Sequence, residues 1–310
     1  MTPRRGARAS AARATSLDAA MTSRDALRAL IAGSLDQLRT NSARLVARGD
    51  AASLHQMRVA LRRLRSALSA FKRLLPRDAL EPRLADIRWL SRALGGARDW
   101  DVFEASILQP ALAEHRAQAG LLAVRGAATR LAARERSRAR RAAASRRCER
   151  MLLRLDAFAD RDWRALRAPA LPIARQVLER QWGRVRRRGR GLARLDAAEL
   201  HRLRIAVKRL RYTALAFAPL FAARRTRAIL GAAEEMQDAL GGLNDCATAT
   251  RLASKARATL SGVKTRQARE LLDERIDATR REHQHALRPA WKALRSAPRF
   301  WIRQEEDKER

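Results

Sequence analysis

The amino-acid sequence predicts an all-α protein, and three observations carry this prediction. The 310-residue chain is dominated by Ala, Leu and Arg, which are good helix formers. Aromatic residues make up only 4% of the chain and β-branched residues are scarce, which argues against a large sheet. The prolines are separated by long runs in which a helix can continue without interruption.

Apolar spacing, prolines and turn residues give the order of the expected elements. Residues 1–21 are rich in Ala, Arg, Ser and Thr without periodicity, and we expect a disordered basic tail there. A C-terminal tail is expected over 298–310, and Pro289 is a candidate break in the last helix. Ser53 with Gln56, and Asp196 with Glu199, are predicted N-caps. The expected helices cover 23–48, 53–75, 80–95, 99–117, 119–156, 172–188, 197–222, 224–241, 245–259 and 262–297.

The chain repeats itself at a shift of 146 residues. Residues 54–65 read LHQMRVALRRLR and residues 200–211 read LHRLRIAVKRLR. At the same shift, the motif Leu-Gly-Gly followed by Asp99 matches Leu-Gly-Gly followed by Asp245. Two motifs in one register indicate an internal duplication, with a period too long for a solenoid. We therefore expect two homologous helical halves, 22–163 and 164–297, related by a pseudo-twofold axis.

Each copy of the first motif places basic residues on one helical face and apolar residues on another. On a wheel of about 100° per residue, the basic stripe is about 80° wide. The predicted core face consists of Met57, Leu61, Leu64, Leu68, Phe71 and Leu75 in the first copy and Leu203, Val207, Leu210, Phe217 and Phe221 in the second. The predicted stripe consists of His55, Arg58, Arg62 and Arg65, and of His201, Arg204, Lys208 and Arg211.

A stripe of like charges destabilises an isolated helix, so we expect an anion to neutralise it. Arginine binds phosphate oxygens through a planar fork, and lysine adds a point charge. The competing interpretation is a solvated face in an Arg-rich chain, with histidines that are only structural. The repetition favours binding, because compositional bias does not recreate positions. For Gly95, Gly96, Gly241 and Gly242 we favour helix C-caps, for Asp99 and Asp245 N-caps, and for the six tryptophans packing between helices.

The formal charge of +35 is more than folding requires and indicates an anionic partner, such as a polyanion, a nucleic acid or a membrane surface.

The longest nearly apolar stretch, 214–223, contains Pro219 and is too short to span a bilayer. The chain start lacks the apolar region of a secretory signal. Cys148 and Cys246 form neither a disulfide framework nor a metal cluster, so we expect a cytoplasmic protein.

Both motif pairs resemble the CHAD family, a helical domain named for its histidines, and the likeness covers about 22–297. The first half resembles it in His55, Arg58, Arg62, Arg63, Arg65 and the run Leu94-Gly95-Gly96-Ala97-Arg98-Asp99. The second half resembles it in His201, Arg204, Lys208, Arg209, Arg211, Tyr212, Gln237, Leu240-Gly241 and Asn244-Asp245.

This resemblance implies two four-helix-bundle-like halves around a central basic groove or pore that binds inorganic polyphosphate, with association with polyphosphate granules in bacteria. It also implies that the stripe residues line the groove, together with Arg98, Tyr212 and Asn244. The chain departs from the family at Leu215 and Gly242, where acidic residues are expected. It contains no alternating Glu-x-Glu-x-Lys strand, so the catalysis of triphosphatase fusions is not carried over.

The sequence contains no nucleotide-binding glycine loop and no His-Glu-x-x-His motif, and His283 and His285 are poorly spaced for a metal. We therefore expect non-enzymatic polyphosphate binding without a cofactor or metal. The predicted channel also includes Arg130, Arg134, Arg138 and Arg141 of a long helix. One alternative is a nucleic-acid-binding protein, although no such motif is present. The other is a phosphatase or metal-dependent hydrolase, which needs carboxylates gathered at the groove.

Overall fold

The computed structural model describes residues 16–116, 118–260 and 264–302, and over these ranges the chain is helical with no strand. Most of the predicted N-terminal tail and part of the C-terminal tail lie outside the described residues. The α-helices are α1 (Ser23–Arg48), α2 (Ala51–Ala70), α3 (Arg77–Ala93), α4 (Gly95–Phe103), α5 (Gln109–Glu114), α6 (Ala119–Ala143), α7 (Arg146–Asp160), α8 (Ala170–Arg188), α9 (Ala197–Phe217), α10 (Ala223–Arg257) and α11 (Lys264–Ser296). A π-helical turn, Glu104–Leu108, joins α4 to α5.

Several helix ends differ from the prediction for reasons of capping. Helix α2 begins earlier than predicted because Asp50, rather than Ser53, is its N-cap and accepts from the Ser53 backbone N–H. The predicted helix 119–156 is two helices, since Ser145 caps α7 by accepting from the Cys148 N–H. The predicted capping box of Asp196 and Glu199 at the start of α9 is confirmed.

The prediction that the glycine pairs end helices is wrong. Helix α10 passes through Gly241 and Gly242 without a break, and Gly95 and Gly96 are the first residues of α4. Asp99 and Asp245 therefore lie inside helices and do not act as N-caps. Pro289 also lies inside the continuous helix α11.

The two repeated helices pack directly against each other. Helix α2 contacts α9, and the rings of Phe71 and Phe217, which match in the repeat, meet edge to face at 5.8 Å between centroids. Met57, Leu61 and Leu64 are fully buried, as predicted for the core face. One large hydrophobic cluster combines α1–α3 with α7–α9 and parts of α10 and α11, so it contains residues of both predicted halves. The duplication and its pseudo-twofold axis stay predictions.

A second hydrophobic cluster is built from α4, α5 and α6 against the later part of α10 and the first part of α11. Trp100 belongs to this cluster, whereas Trp163, Trp182 and Trp301 are buried in the first. Trp301 also donates its indole N–H to Glu179 at 2.9 Å. The predicted packing role is confirmed for these four tryptophans. No described helix is long and apolar enough to cross a membrane.

Candidate anion-binding cavity

A cavity of about 590 Å³ lies where α2, α4, α9 and α10 meet, and we call it the central cavity. The apolar faces of α2 and α9 are buried, and part of their basic faces lines this space, namely His55, Arg58, Arg62, Arg204 and Lys208. Helix α4 adds Arg98 and Asp99, and α10 adds Asn244 and Asp245. The charged and polar lining residues are His55, Arg58, Arg62, Arg98, Asp99, Ser106, Arg204, Lys208, Tyr212, Gln237, Asp238, Asn244, Asp245, Thr248, Thr279 and His283.

Two further cavities adjoin the same side chains. A cavity of about 410 Å³ is also lined by Arg58, Arg62, Arg204, Lys208 and Tyr212. Another, of about 630 Å³, shares Arg62 and Tyr212 with both. Arg62 donates its Nε–H to the Tyr212 hydroxyl at 2.8 Å, and its guanidinium carbon lies 5.3 Å from the centre of the tyrosine ring. This pair, contributed by α2 and α9, therefore lies where the three cavities meet.

The four central cations lack acidic partners at short range. Over the described ranges, no carboxylate lies within 4 Å of Arg58, Arg62, Arg204 or Lys208. Arg58 donates to the Ser91 carbonyl oxygen at 3.4 Å, while its buried Nε–H has no hydrogen-bond partner. A buried donor left unsatisfied is costly unless something fills the site. The cavity therefore has the charge and the open hydrogen-bonding capacity to accept an anion.

The pKa values reflect this crowding of positive charge. Burial, together with the charges of Arg62 and Arg204, lowers the pKa of Lys208 from 10.5 to about 7. Burial, and to a smaller extent the charge of Arg98, also lowers the pKa of His55. Burial lowers the pKa of Arg58 and Arg204 as well, although guanidinium groups keep their proton at physiological pH. A bound anion would reverse these shifts, because it stabilises the charged forms.

Carboxylates also line the cavity, which the sequence analysis did not anticipate. Burial and the nearby charge of Asp245 raise the pKa of Asp99, and the charges of Arg58 and Arg251 oppose this rise. Asp99 lies 3.9 Å from Arg251. The signal was present in the sequence, since Asp99 and Asp245 occupy matching positions of the repeat. A Gly-Gly pair precedes each aspartate, and this pattern is typical of a helix end followed by an N-cap, which favours the capping interpretation.

The predicted site residues fall into two groups. His55, Arg58, Arg62, Arg98, Arg204, Lys208, Tyr212 and Asn244 line the central cavity. Arg65 lines the cavity of about 410 Å³, and Arg211 lines that of about 630 Å³, where it forms an ion pair with Glu234. His201 is exposed and lines none of the described cavities, which places it outside the predicted groove.

The predicted contribution of the long helix to the channel is not observed. Arg130, Arg134, Arg138 and Arg141 are exposed on α6 and are absent from the lining of the described cavities. Gln237 and His283, in contrast, line the central cavity. A Cβ atom at Gly242 would lie 2.0 Å from the His283 ring, so only glycine allows α11 to bring this histidine so close to α10. Among the described residues, no group of three His, Cys, Asp or Glu side chains is arranged to hold a metal.

Comparison with known proteins agrees with this architecture. The family model described as "CHAD domain" matches residues 29–254. The chain is similar to the crystal structure of the CHAD domain from the plant Ricinus communis, with 31% identity and a TM-score of 0.82 over 95% of this chain and 99% of that one. It also shares its fold with PptA from Streptomyces chartreusis, at 17% identity and a TM-score of 0.64 over 89% and 99%. No curated protein matches it. The chain belongs to the CHAD domain family.

Proposed function

We propose that the protein binds inorganic polyphosphate in the central cavity without hydrolysing it. The observation that carries the proposal is the convergence of Arg58, Arg62, Arg204 and Lys208, from two copies of one motif, on a space where no carboxylate pairs with them within 4 Å. Each phosphate of a linear chain offers oxygens to the guanidinium forks and to the Lys208 ammonium. The buried Nε–H of Arg58 would then gain an acceptor.

The adjoining cavities support a polymeric ligand. Arg58, Arg62, Arg204 and Lys208 line both the central cavity and the cavity of about 410 Å³, so a chain of phosphates can contact them from both sides. Each added phosphate then binds at a high effective concentration. Affinity should therefore increase with chain length, and it should decrease as salt rises because bound polyphosphate displaces counterions.

The experiment compares two variants that each lose four basic residues. In the cavity variant, Arg58, Arg62, Arg204 and Lys208 are replaced together by Ala. In the α6 control variant, the exposed residues Arg125, Arg130, Arg134 and Arg141 are replaced by Ala. Affinity is measured against polyphosphates of graded length over a salt series, with circular dichroism to verify helicity. We expect the cavity variant to bind polyphosphate much more weakly than the parent protein and the control to retain its affinity. Unchanged affinity of a folded cavity variant for long polyphosphate would refute the proposal.

Two alternatives have their own tests. A nucleic-acid-binding function gains support if duplex DNA or RNA displaces long polyphosphate at equal phosphate concentration. A hydrolase has one observation in its favour, since Asp99, Asp238 and Asp245 all line the central cavity. Release of inorganic phosphate from polyphosphate with added Mg²⁺ or Mn²⁺, lost on Asp99→Asn or Asp245→Asn, would establish it.

Granule association is tested by co-localising the tagged protein with stained polyphosphate in cells.

A further inference from the structure

A separate cavity lies at the C-terminal end of α8, between the turn that follows α8 and the last turns of α11. Its volume is about 1010 Å³, and we call it the second basic cavity. It shares no lining residue with the central cavity. Of the described residues that line it, none is a carboxylate. Its charged lining consists of Arg186, Arg190, Arg194, Arg288, Lys292 and Arg295.

Within the described residues, the charges of this cavity have no acidic partner. In the described part of the chain, none of these six side chains has a carboxylate within 4 Å. The nearby acids Asp196 and Glu199 are already engaged, since they form the capping box of α9 and Glu199 also lies 3.8 Å from Arg202. Cations in the last turn of a helix offset its dipole, which accounts for Arg186 and Arg295. The helix dipole does not account for Arg190 and Arg194 in the turn, or for Arg288 and Lys292 earlier in α11.

The walls of the cavity are fixed by close packing. The Trp291 ring lies so close to the α8 C-cap Gly189 that a Cβ atom there would be 2.2 Å from it. Gly191 then turns the chain with a φ of 63°, a conformation that favours glycine. The turn therefore holds Arg190 and Arg194 opposite α11. Trp291 is the one aromatic residue among the described lining residues, and the edge of its ring packs against Gly189.

We propose that the second basic cavity binds a segment of inorganic polyphosphate, so that one protein contacts a long chain at two separate places. This proposal rests on the proposed function for the identity of the polymer. In the part of the chain that the structure describes, the cavity gathers six cations and no acid. Consecutive phosphates of polyphosphate share a bridging oxygen, whereas those of a nucleic acid are separated by sugars, so the higher charge density of polyphosphate matches the cavity better. A long chain held at both cavities gains affinity through effective concentration, whereas a short oligophosphate occupies one cavity at a time.

Two lysines allow the cavities to be observed independently. Lys208 reports on the central cavity and Lys292 on the second, while Lys255, exposed near the end of α10, lines neither and is the reference. The protein is treated with a small acylating reagent, with or without long-chain polyphosphate, and acylation of each lysine is measured by mass spectrometry. We expect polyphosphate to protect Lys208 and Lys292 but not Lys255. Protection of Lys292 should persist in the Arg58, Arg62 and Arg204 to Ala variant.

The outcomes separate the two proposals. Protection of Lys208 without protection of Lys292 overturns the second site and leaves the proposed function intact. Protection of Lys292 without Lys208 supports the second site and contradicts the central one. Equal protection of Lys255 overturns both, because it indicates unspecific coating of a basic surface.

A variant series tests the site by affinity. Replacing Arg190, Arg194, Arg288 and Lys292 by Ala is expected to weaken the binding of long-chain polyphosphate about tenfold. The affinity of the central cavity for a short oligophosphate should not change. The α6 control variant, which also loses four basic residues, is the matched control. An equal loss in both variants overturns the proposal. Loss of single-stranded RNA binding with polyphosphate binding unchanged also overturns it and assigns the cavity to nucleic acid.

Discussion

Lys208 is the residue whose protonation depends most directly on what fills the central cavity. In the ligand-free protein, burial and the charges of Arg62 and Arg204 lower its pKa to about 7, whereas in the unfolded chain it stays near 10.5. The folded state thus binds fewer protons than the unfolded state between these two values. The resulting destabilisation is fully present below about pH 7, and it is relieved as the pH rises toward 10.5.

The first prediction at this scale concerns stability. Lys208→Met removes the buried charge and keeps the length of the side chain, so we expect a higher free energy of unfolding than in the parent protein near pH 6.5. The advantage should shrink as the pH approaches 9, because the parent lysine is then neutral. Urea unfolding of both proteins across this pH range measures the difference. A difference that is independent of pH would contradict the assignment of the lowered pKa to Lys208.

The second prediction concerns the ligand. An anion in the cavity stabilises the ammonium form of Lys208, so polyphosphate binding should take up a proton above about pH 7 and weaken as the pH rises toward 9. Calorimetric titration at pH 8 in buffers of different ionisation enthalpy measures this uptake. The Lys208→Arg variant stays charged at every pH tested, and it should bind with correspondingly less proton uptake. Equal uptake in both proteins would show that another group titrates.

Adjacent glycines of α10 provide a prediction at the scale of the helix. Gly241 lines the central cavity with no atom within 4 Å of its Cβ position, whereas the Cβ position of Gly242 lies 2.0 Å from the His283 ring. Gly241→Ala should therefore stabilise the protein by about 0.5–1 kcal/mol, because glycine is unfavourable inside a helix. Gly242→Ala should destabilise it by roughly 1–3 kcal/mol through overpacking. Urea unfolding midpoints test this opposite pair, and effects of the same sign would contradict it.

A larger side chain at the same position tests the cavity itself. Gly241→Phe should fill part of the central cavity and weaken polyphosphate binding without loss of helicity. Gly231, on the same helix, is exposed and also has no atom within 4 Å of its Cβ position, so Gly231→Phe is the matched control. Binding that is equally strong in both variants would show that the polymer does not enter the central cavity.

The helices with clear apolar periodicity could be predicted from the sequence, and so could the faces they bury. The core faces of α2 and α9 and the capping box at Asp196 follow from local patterns. The continuity of α10 through Gly241 and Gly242 could not be predicted, because the reason for one of these glycines is His283, distant in sequence. Likewise, the exposure of His201 and the cavity positions of Asp99 and Asp245 depend on how helices pack, which no local pattern encodes.

At the scale of the whole molecule, a formal charge of +35 attracts any polyanion, so total affinity does not identify the ligand. The distinction lies in where the charges are. Arg125, Arg130, Arg134 and Arg141 of α6 are exposed and accessible to a wide duplex. In contrast, Arg58, Arg204 and Lys208 lie in a cavity of about 590 Å³ that a DNA duplex cannot enter. DNA should therefore contact surface charges, and a bare phosphate chain should reach the buried ones.

This separation gives a prediction with opposite expected outcomes for the two ligands. The cavity variant should lose most of its polyphosphate affinity, apart from binding at the second basic cavity, and keep whatever affinity for duplex DNA the parent protein has. The α6 control variant should lose more of its DNA affinity than of its polyphosphate affinity. Raising the ionic strength should weaken DNA binding in parent and cavity variant alike, since both retain the same exposed charges. Fluorescence anisotropy with labelled DNA and labelled polyphosphate over a salt series measures the binding of both ligands to the parent protein and to both variants. If the cavity variant loses both ligands in proportion, the two polyanions share one site, and the central cavity does not discriminate between them.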